Sequence, residues 1–175
     1  MENGNAYAMK MLASHYRDGS YGLPRDFVKA NELNLKAGEL GCTSAYLNLG
    51  EAYRQGLGVG RDPKKAKHYI ELAAMNGNVL ARHNLGALEG QAGNEHRAYK
   101  HMIIAAKAGD KESLQYVQRG FKGGIVTKDE YESTLRTYQQ RSDEMKNDMR
   151  DQAQVFRNRR RGGVGVGIGQ IRKRR

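Results

Sequence analysis

The strongest constraint on this chain is a helix pattern that recurs along it. Ala8, Leu12, Ala13, Tyr16 and Gly19 return as Ala45, Leu49, Gly50, Tyr53 and Gly56, and Ala81, Leu85 and Gly86 open a third copy. The displacements, 37 and then 36 residues, are the length of one supersecondary unit in a solenoid. A second pattern alternates with the first. Lys29-Ala30, Lys65-Ala66 and Arg97-Ala98 each lead to a pair of small residues, Ala37-Gly38, Ala73-Ala74 and Ala105-Ala106, and then to Gly41, Gly77 and Gly109. Within the first pattern Ala, Leu and Tyr fall at i, i+4 and i+8, one stripe of a 3.6-residue helix, and the small residue beside the Leu lets a partner helix come close. Asp26 and Asp62 sit where an N-cap is needed, with Pro63 in the first turn. Gly41, Gly77 and Gly109 sit where a left-handed C-cap is needed. Each unit reads as a capped helical hairpin. One hairpin cannot bury its apolar stripe alone, so the units are predicted to stack into an all-α solenoid, a right-handed superhelix.

The pattern is complete from Ala45 to Gly77: Ala-x-x-x-Leu-Gly-x-x-Tyr-x-x-Gly-x-Gly-Val-x-x-Asp-x-x-Lys-Ala-x-x-Tyr-x-x-x-Ala-Ala-x-x-Gly. In this it resembles the Sel-one-like repeat (SLR) proteins, a tetratricopeptide-like helical family. Similar arrays occur in endoplasmic-reticulum quality-control adaptors and in algal repeat proteins that often carry an N-terminal RING-type finger. The resemblance implies binding and complex assembly. The predicted units are residues 5–41, 42–77 and a shortened third at 78–109, in which Glu89 stands in the Tyr slot. The first helix of a degenerate fourth unit follows at 110–126, with Val117 and Phe121 in the Leu and Tyr positions and Gly124 in the turn. The first unit begins almost at Met1, leaving no room in this sequence for a capping segment ahead of it.

Past the repeats, Thr127-x-x-Glu130 is a capping box that opens a long polar helix, predicted over 127–156. Tyr131, Leu135, Tyr138, Ser142, Met145, Met149, Gln152 and Phe156 follow at spacings of four and three. This stripe reads either as a solenoid cap with a solvated extension or as a short coiled-coil seam over 131–156 that pairs two chains or a partner helix.

Charge is unevenly placed. The formal +11 suggests nucleic acid, but Arg157, Arg159, Arg160, Arg161, Arg172, Lys173, Arg174 and Arg175 lie in the last 19 residues with no acid among them. The rest of the chain holds 22 basic and 19 acidic residues and is near neutral. Residues 157–175 read as a disordered basic tail, as a bipartite nuclear-import signal, or as an arm for RNA or another polyanion. A single cysteine, Cys42, excludes internal disulfides and multi-cysteine zinc clusters and points to a reducing, cytoplasmic setting, with nuclear entry through the tail as the variant. No apolar run is long enough for a membrane helix, and no signal-peptide pattern opens the chain.

Chemistry-bearing motifs are weak. Gly56-x-Gly58-x-Gly60 has no preceding strand and no following Gly-Lys-Ser/Thr, so it reads as the inter-helix turn and not as a phosphate loop. His15, His68, His83, His96 and His101 lack the i, i+4 pairing and the company a metal needs, and His101 occupies the packing slot of Tyr69 one unit earlier. Cys42 reads as a small buried filler, and Ser44 and Ser113 have no nucleophile-elbow sequence. No catalytic, cofactor or metal residue is assigned. The expectation is a non-enzymatic scaffold that binds a protein or peptide on the concave face of the first helices, through Lys10, Ser14, Arg17, Leu47, Glu51, Arg54, His83, Gln115, Arg119 and Lys122. The alternative is nucleic-acid binding through the tail alone.

Overall fold

The structure is a computed structural model that describes residues 4–162, and for 158–162 the backbone only. Eight helices and no strand are present among them: α1 (Gly4–Asp18), α2 (Phe27–Glu39), α3 (Thr43–Gln55), α4 (Pro63–Met75), α5 (Val79–Gln91), α6 (Glu95–Lys107), α7 (Lys111–Lys122) and α8 (Lys128–Gly162). The helices pair as α1·α2, α3·α4 and α5·α6 within units, and as α2·α3, α4·α5 and α6·α7 between them, with α8 laid against α6 and α7. Packing therefore runs along the chain from neighbour to neighbour, as an α-solenoid requires.

Each turn is fixed by local chemistry. Asp26 accepts from the Lys29 amide and Asp62 from those of Lys64 and Lys65, so α2 and α4 start on side-chain caps; Asn78 and Asp110 do the same for α5 and α7. The ends of α2, α4 and α6 repeat one Schellman arrangement. Cys42 N donates to Ala37 O, Asn78 N to Ala73 O and Asp110 N to Ala105 O, while Gly41, Gly77 and Gly109 carry the positive φ of 97°, 87° and 102°. At α8 the capping box forms as the sequence predicts, with Glu130 accepting from the Thr127 amide at 3.0 Å and Thr127 Oγ accepting from the Glu130 amide at 3.3 Å.

The core is thin and mostly alanine, threaded by Leu49, Ile70, Leu85, Met102, Val117 and Val126. Small residues let the helices touch. A Cβ on Gly50 would lie 2.6 Å from Ile70 Cγ1 and 3.1 Å from the Ala66 carbonyl, and one on Gly86 would meet Met102 Cε at 3.0 Å. The first unit departs from the pattern: Leu12 is 39% exposed where its counterpart Leu49 is 3%. Leu49 lines one cleft with Val28, Asn31 and Leu35 of the preceding second helix, and among the described residues no helix holds that place for Leu12.

The long α8 divides in two. Tyr131, Leu135, Tyr138 and Ser142 are half-buried, and Phe121 stacks on Tyr131 at 4.8 Å. Met145 reaches Gly109, where an added Cβ would sit 3.3 Å from its Cε. Beyond it Met149 is 71% exposed and Phe156 59%. The 131–156 stripe is thus no continuous intermolecular seam, because its first half is taken up by the chain's own repeats.

Candidate functional site: the clefts between first helices

Two open clefts lie between successive first helices. The first, about 60 Å³, is lined by Arg17 of α1, Phe27, Ala30, Asn31 and Asn34 of α2, Asn48, Glu51 and Ala52 of α3, and Leu57. The second, about 270 Å³, is lined by Glu51, Arg54 and Ile70 with Asn84, Ala87, Leu88 and Gln91 of α5. Glu51 borders both. Its carboxylate receives Arg54 Nε at 2.8 Å and Nη2 at 2.6 Å, and it also accepts from Gln55; the Arg54 bond holds it below the ordinary carboxylate range. Asn48 and Asn84 stand 36 positions apart, so the repeat places an amide at the same height in both clefts. Asn48 Nδ2 donates to Asn34 Oδ1 at 3.3 Å.

The residues expected on this face have different fates. Arg17, Glu51 and Arg54 border the clefts, Arg17 paired with Asp18 at 2.9 Å. Ser14 Oγ turns back to the Lys10 carbonyl, and Lys10 Nζ lies 5.5 Å from the Tyr7 ring centroid. Leu47 is half-buried against the cluster of Ile70, Ala73, Ala74, Ala81 and Leu85. Gln115, Arg119 and Lys122 are exposed on α7, with Arg119 over the Tyr116 ring. His83 is engaged within the fold, its Nδ1 2.9 Å from Ser113 Oγ and 3.3 Å from Asp110 Oδ2. That trio has the composition of a hydrolytic triad but not its chemistry. Ser113 is fully buried, beside Met102 Sδ at 3.5 Å, so no carbonyl can reach its hydroxyl. Among the described residues no group of three His, Cys, Asp or Glu could hold a metal, and no helix is long and apolar enough to cross a membrane. The tail cations Arg159, Arg160, Arg161, Arg172, Lys173, Arg174 and Arg175 have side chains outside the described residues.

Sequence reasoning overlooked Asn48, Asn84 and Gln91, since one amide per helix carries no motif. The 36-residue register between the first two was the available signal. It also left Glu89 as a mere departure. In the structure Glu89 is 1% exposed and accepts from Lys67 Nζ at 2.7 Å and from Asn94 Nδ2 at 2.8 Å, with Arg97 Nε at 3.8 Å. The Lys67 bond, against the opposing effect of burial, holds its carboxyl below the usual range.

Stacked, capped hairpins of this length with a groove of side chains along their first helices define a helical-repeat protein of the tetratricopeptide-like class. The Sel1 repeat model matches residues 6–42, 43–78 and 79–110, and the chain belongs to the Sel1 repeat family. Proteins of this family generally act as protein–protein interaction scaffolds, and the fold is typically non-catalytic. The chain is 38% identical over 88 residues to the ERAD-associated E3 ubiquitin-protein ligase component HRD3B of Arabidopsis thaliana, a match that covers 50% of this chain and 13% of that protein. Its fold is similar to that of a Sel1 repeat protein from Oxalobacter formigenes, with a TM-score of 0.64 and 22% identity over 77% of this chain and 58% of the other. It is also similar to c5321, a protective antigen of uropathogenic Escherichia coli with an SLR fold, with a TM-score of 0.61 and 20% identity over 78% and 31% of the two chains.

Proposed function

We propose that this chain is a non-enzymatic adaptor that binds a peptide or protein segment along its first helices, with the cleft between α3 and α5 as the principal contact. The observation that carries the reading is the lining of that cleft: Ile70, Ala87 and Leu88 supply apolar surface, while Asn84, Gln91, Glu51 and Arg54 supply donors and acceptors. An apolar floor with a few convergent polar groups is what a peptide needs, because side chains bury on the first and backbone amides pair with the second. The likeness to a ligase component favours service in a multiprotein complex, in a reducing compartment that suits the lone Cys42.

Panning a displayed peptide library against the full chain and against Ala87→Arg tests this. Ala87 is half-buried at the cleft and also packs on the cluster of Met102, Val117 and Val126, so the variant's melting temperature is measured beside its binding, and loss of binding counts only where the fold is kept. Peptides enriched on the parent should lose binding to the variant. Equal binding by both would refute the site. The basic tail supports a second reading, polyanion binding, since eight cations in 19 residues exchange counterions with any phosphate backbone.

A further inference from the structure

Charge on the solenoid is sorted by edge. Each hairpin doubles back, so the turns within units lie along one edge and the turns between units along the other. On the second edge, residues 36–46 and 71–82 hold two cations and two acids. On the first, residues 16–29 and 53–65 hold seven cations and three acids. Those acids are already engaged: Asp18 pairs with Arg17, and Asp26 and Asp62 cap α2 and α4 through the amides of Lys29, Lys64 and Lys65. Arg25, Lys29, Arg61, Lys64 and Lys65 stand exposed, and none of them enters an ion pair among the described residues. Three of the five break a local rule. Lys29 lies in the first turn of α2, and Lys64 and Lys65 in that of α4, where the backbone dipole opposes positive charge, and neither turn holds an acid. The rings of Tyr16 and Tyr53, at 5.7 Å from Lys29 Nζ and 5.4 Å from Lys65 Nζ, offset part of that cost. Cations set against their own helices, without carboxylate partners, belong to a surface shaped for an anionic partner.

Between the two basic turns the surface is apolar and hollow. Val28 and Leu35 of α2, Leu49 and Tyr53 of α3, Val59, and Tyr69 of α4 line a depression of about 180 Å³, in which Val28 is 55% exposed. That is smaller than the roughly 300 Å³ of a small-molecule site and suits a single side chain. The second turn rests on the start of α2: a Cβ on Gly58 would lie 2.5 Å from the Phe27 carbonyl carbon. We propose that this edge docks an acidic protein segment with one apolar anchor. The anchor enters the hollow, and its flanking carboxylates meet Arg25 and Lys29 on one side and Arg61, Lys64 and Lys65 on the other. A nucleic acid fits less well. Its phosphates have no use for the hollow, and a regular run of them would meet Asp26, Asp62 and the exposed Glu32 that also lines it. The hollow shares no residue with the cleft between α3 and α5.

The test uses the full chain and two fluorescent peptides of equal charge, acetyl-Glu-Asp-Leu-Asp-Glu and acetyl-Glu-Asp-Ser-Asp-Glu, followed by anisotropy. The arginines at the end of the chain attract both alike, so a preference for leucine reads the hollow. The leucine peptide should bind roughly tenfold tighter or more. Val28→Asp should erase that preference, and Arg61→Glu/Lys64→Glu should weaken the leucine peptide by roughly tenfold. Glu32→Lys should tighten it. Acids are favoured in a first turn, so Val28→Asp and Lys64→Glu should keep the parent's melting temperature. Ala87→Arg should leave the leucine preference as it is, which separates this site from the cleft between α3 and α5. Equal binding of the two peptides by the parent would overturn the proposal. So would a preference that survives Val28→Asp, or an oligouridylate whose affinity falls with Arg61→Glu/Lys64→Glu while that of the leucine peptide does not, which marks a nucleic-acid surface.

Discussion

Lys67 of α4 reaches across the junction between the second and third units to Glu89 of α5, placing Nζ 2.7 Å from Oε1 of a carboxylate that is otherwise closed to solvent. The same register position ties every junction, by different chemistry each time. Thirty-six residues earlier, Asn31 Nδ2 donates to the Leu57 carbonyl in the turn of the second unit, at 2.7 Å. In the next unit the equivalent residue is Tyr99, packed so closely on α7 that a Cβ on Gly120 would stand 2.3 Å from its ring. The third unit has lost the long glycine turn that would offer Lys67 a carbonyl like that of Leu57. A longer cation and a buried acid span the gap instead.

Lys67→Ala should therefore destabilise the protein by about 1–3 kcal/mol, because Glu89 loses its nearest partner and keeps its charge inside the fold. Adding Glu89→Gln to Lys67→Ala should recover part of the loss. Chemical denaturation of the three proteins measures it, and a Lys67→Ala variant as stable as the parent would mean that Asn94 and Arg97 suffice.

The same pair shapes the response to acid. The carboxyl of Glu89 titrates lower in the folded chain than in the unfolded one, so its contribution is fully present above the unfolded value, about 4.3, and is lost as pH falls through the folded value. The acid limb of a stability–pH curve should be shallower for Glu89→Gln than for the parent. Parallel curves would contradict this.

His101 gives a second slope of the same sign. Burial, and then the nearby Arg82, push its imidazole below the ordinary range, and its Nδ1 is buried without a hydrogen-bond partner in the protein. The neutral ring is the folded form, so stability drops as pH falls from about 6.5 toward the folded value. An NMR titration should place its midpoint below that of a free histidine, and a midpoint at or above it would be decisive against.

Gly50 should tolerate nothing larger. Even Gly50→Ala must displace Ile70, and a loss of about 1–3 kcal/mol is expected from overpacking. Gly60→Ala is the control, with open space around its Cβ. If the two melt alike, the α3·α4 contact is looser than it looks.

The hairpin, its caps and the glycine ends were legible because each is a local rule written two or three times. The Asp26 and Asp62 caps, the positive φ at Gly41, Gly77 and Gly109, the Thr127 box and the Gly50 contact all follow from spacing. Leu12 was misread for the opposite reason. Its letters match Leu49, yet burial depends on a second helix that only the stacking supplies. The stripe of α8 likewise carries one periodicity through Tyr131 and Phe156, and periodicity cannot say where the supporting surface stops. The clefts were half legible: Arg17, Glu51 and Arg54 came from geometry, but Leu47 and His83 share the same helices and are drawn into contacts with α4 and α7, which no single-helix pattern encodes.

Because the principal contacts of each helix are with its neighbours along the chain, the molecule has the mechanics of a spring more than of a block. A change of a few degrees at one junction is passed to everything beyond it. The stiffness of the whole is set by the softest of the ties at Asn31, Lys67 and Tyr99. Of these only the Lys67–Glu89 tie rests on charge, so acid that protonates Glu89 should loosen the coil between the second and third turns and widen the cleft that Glu51 and Asn84 share.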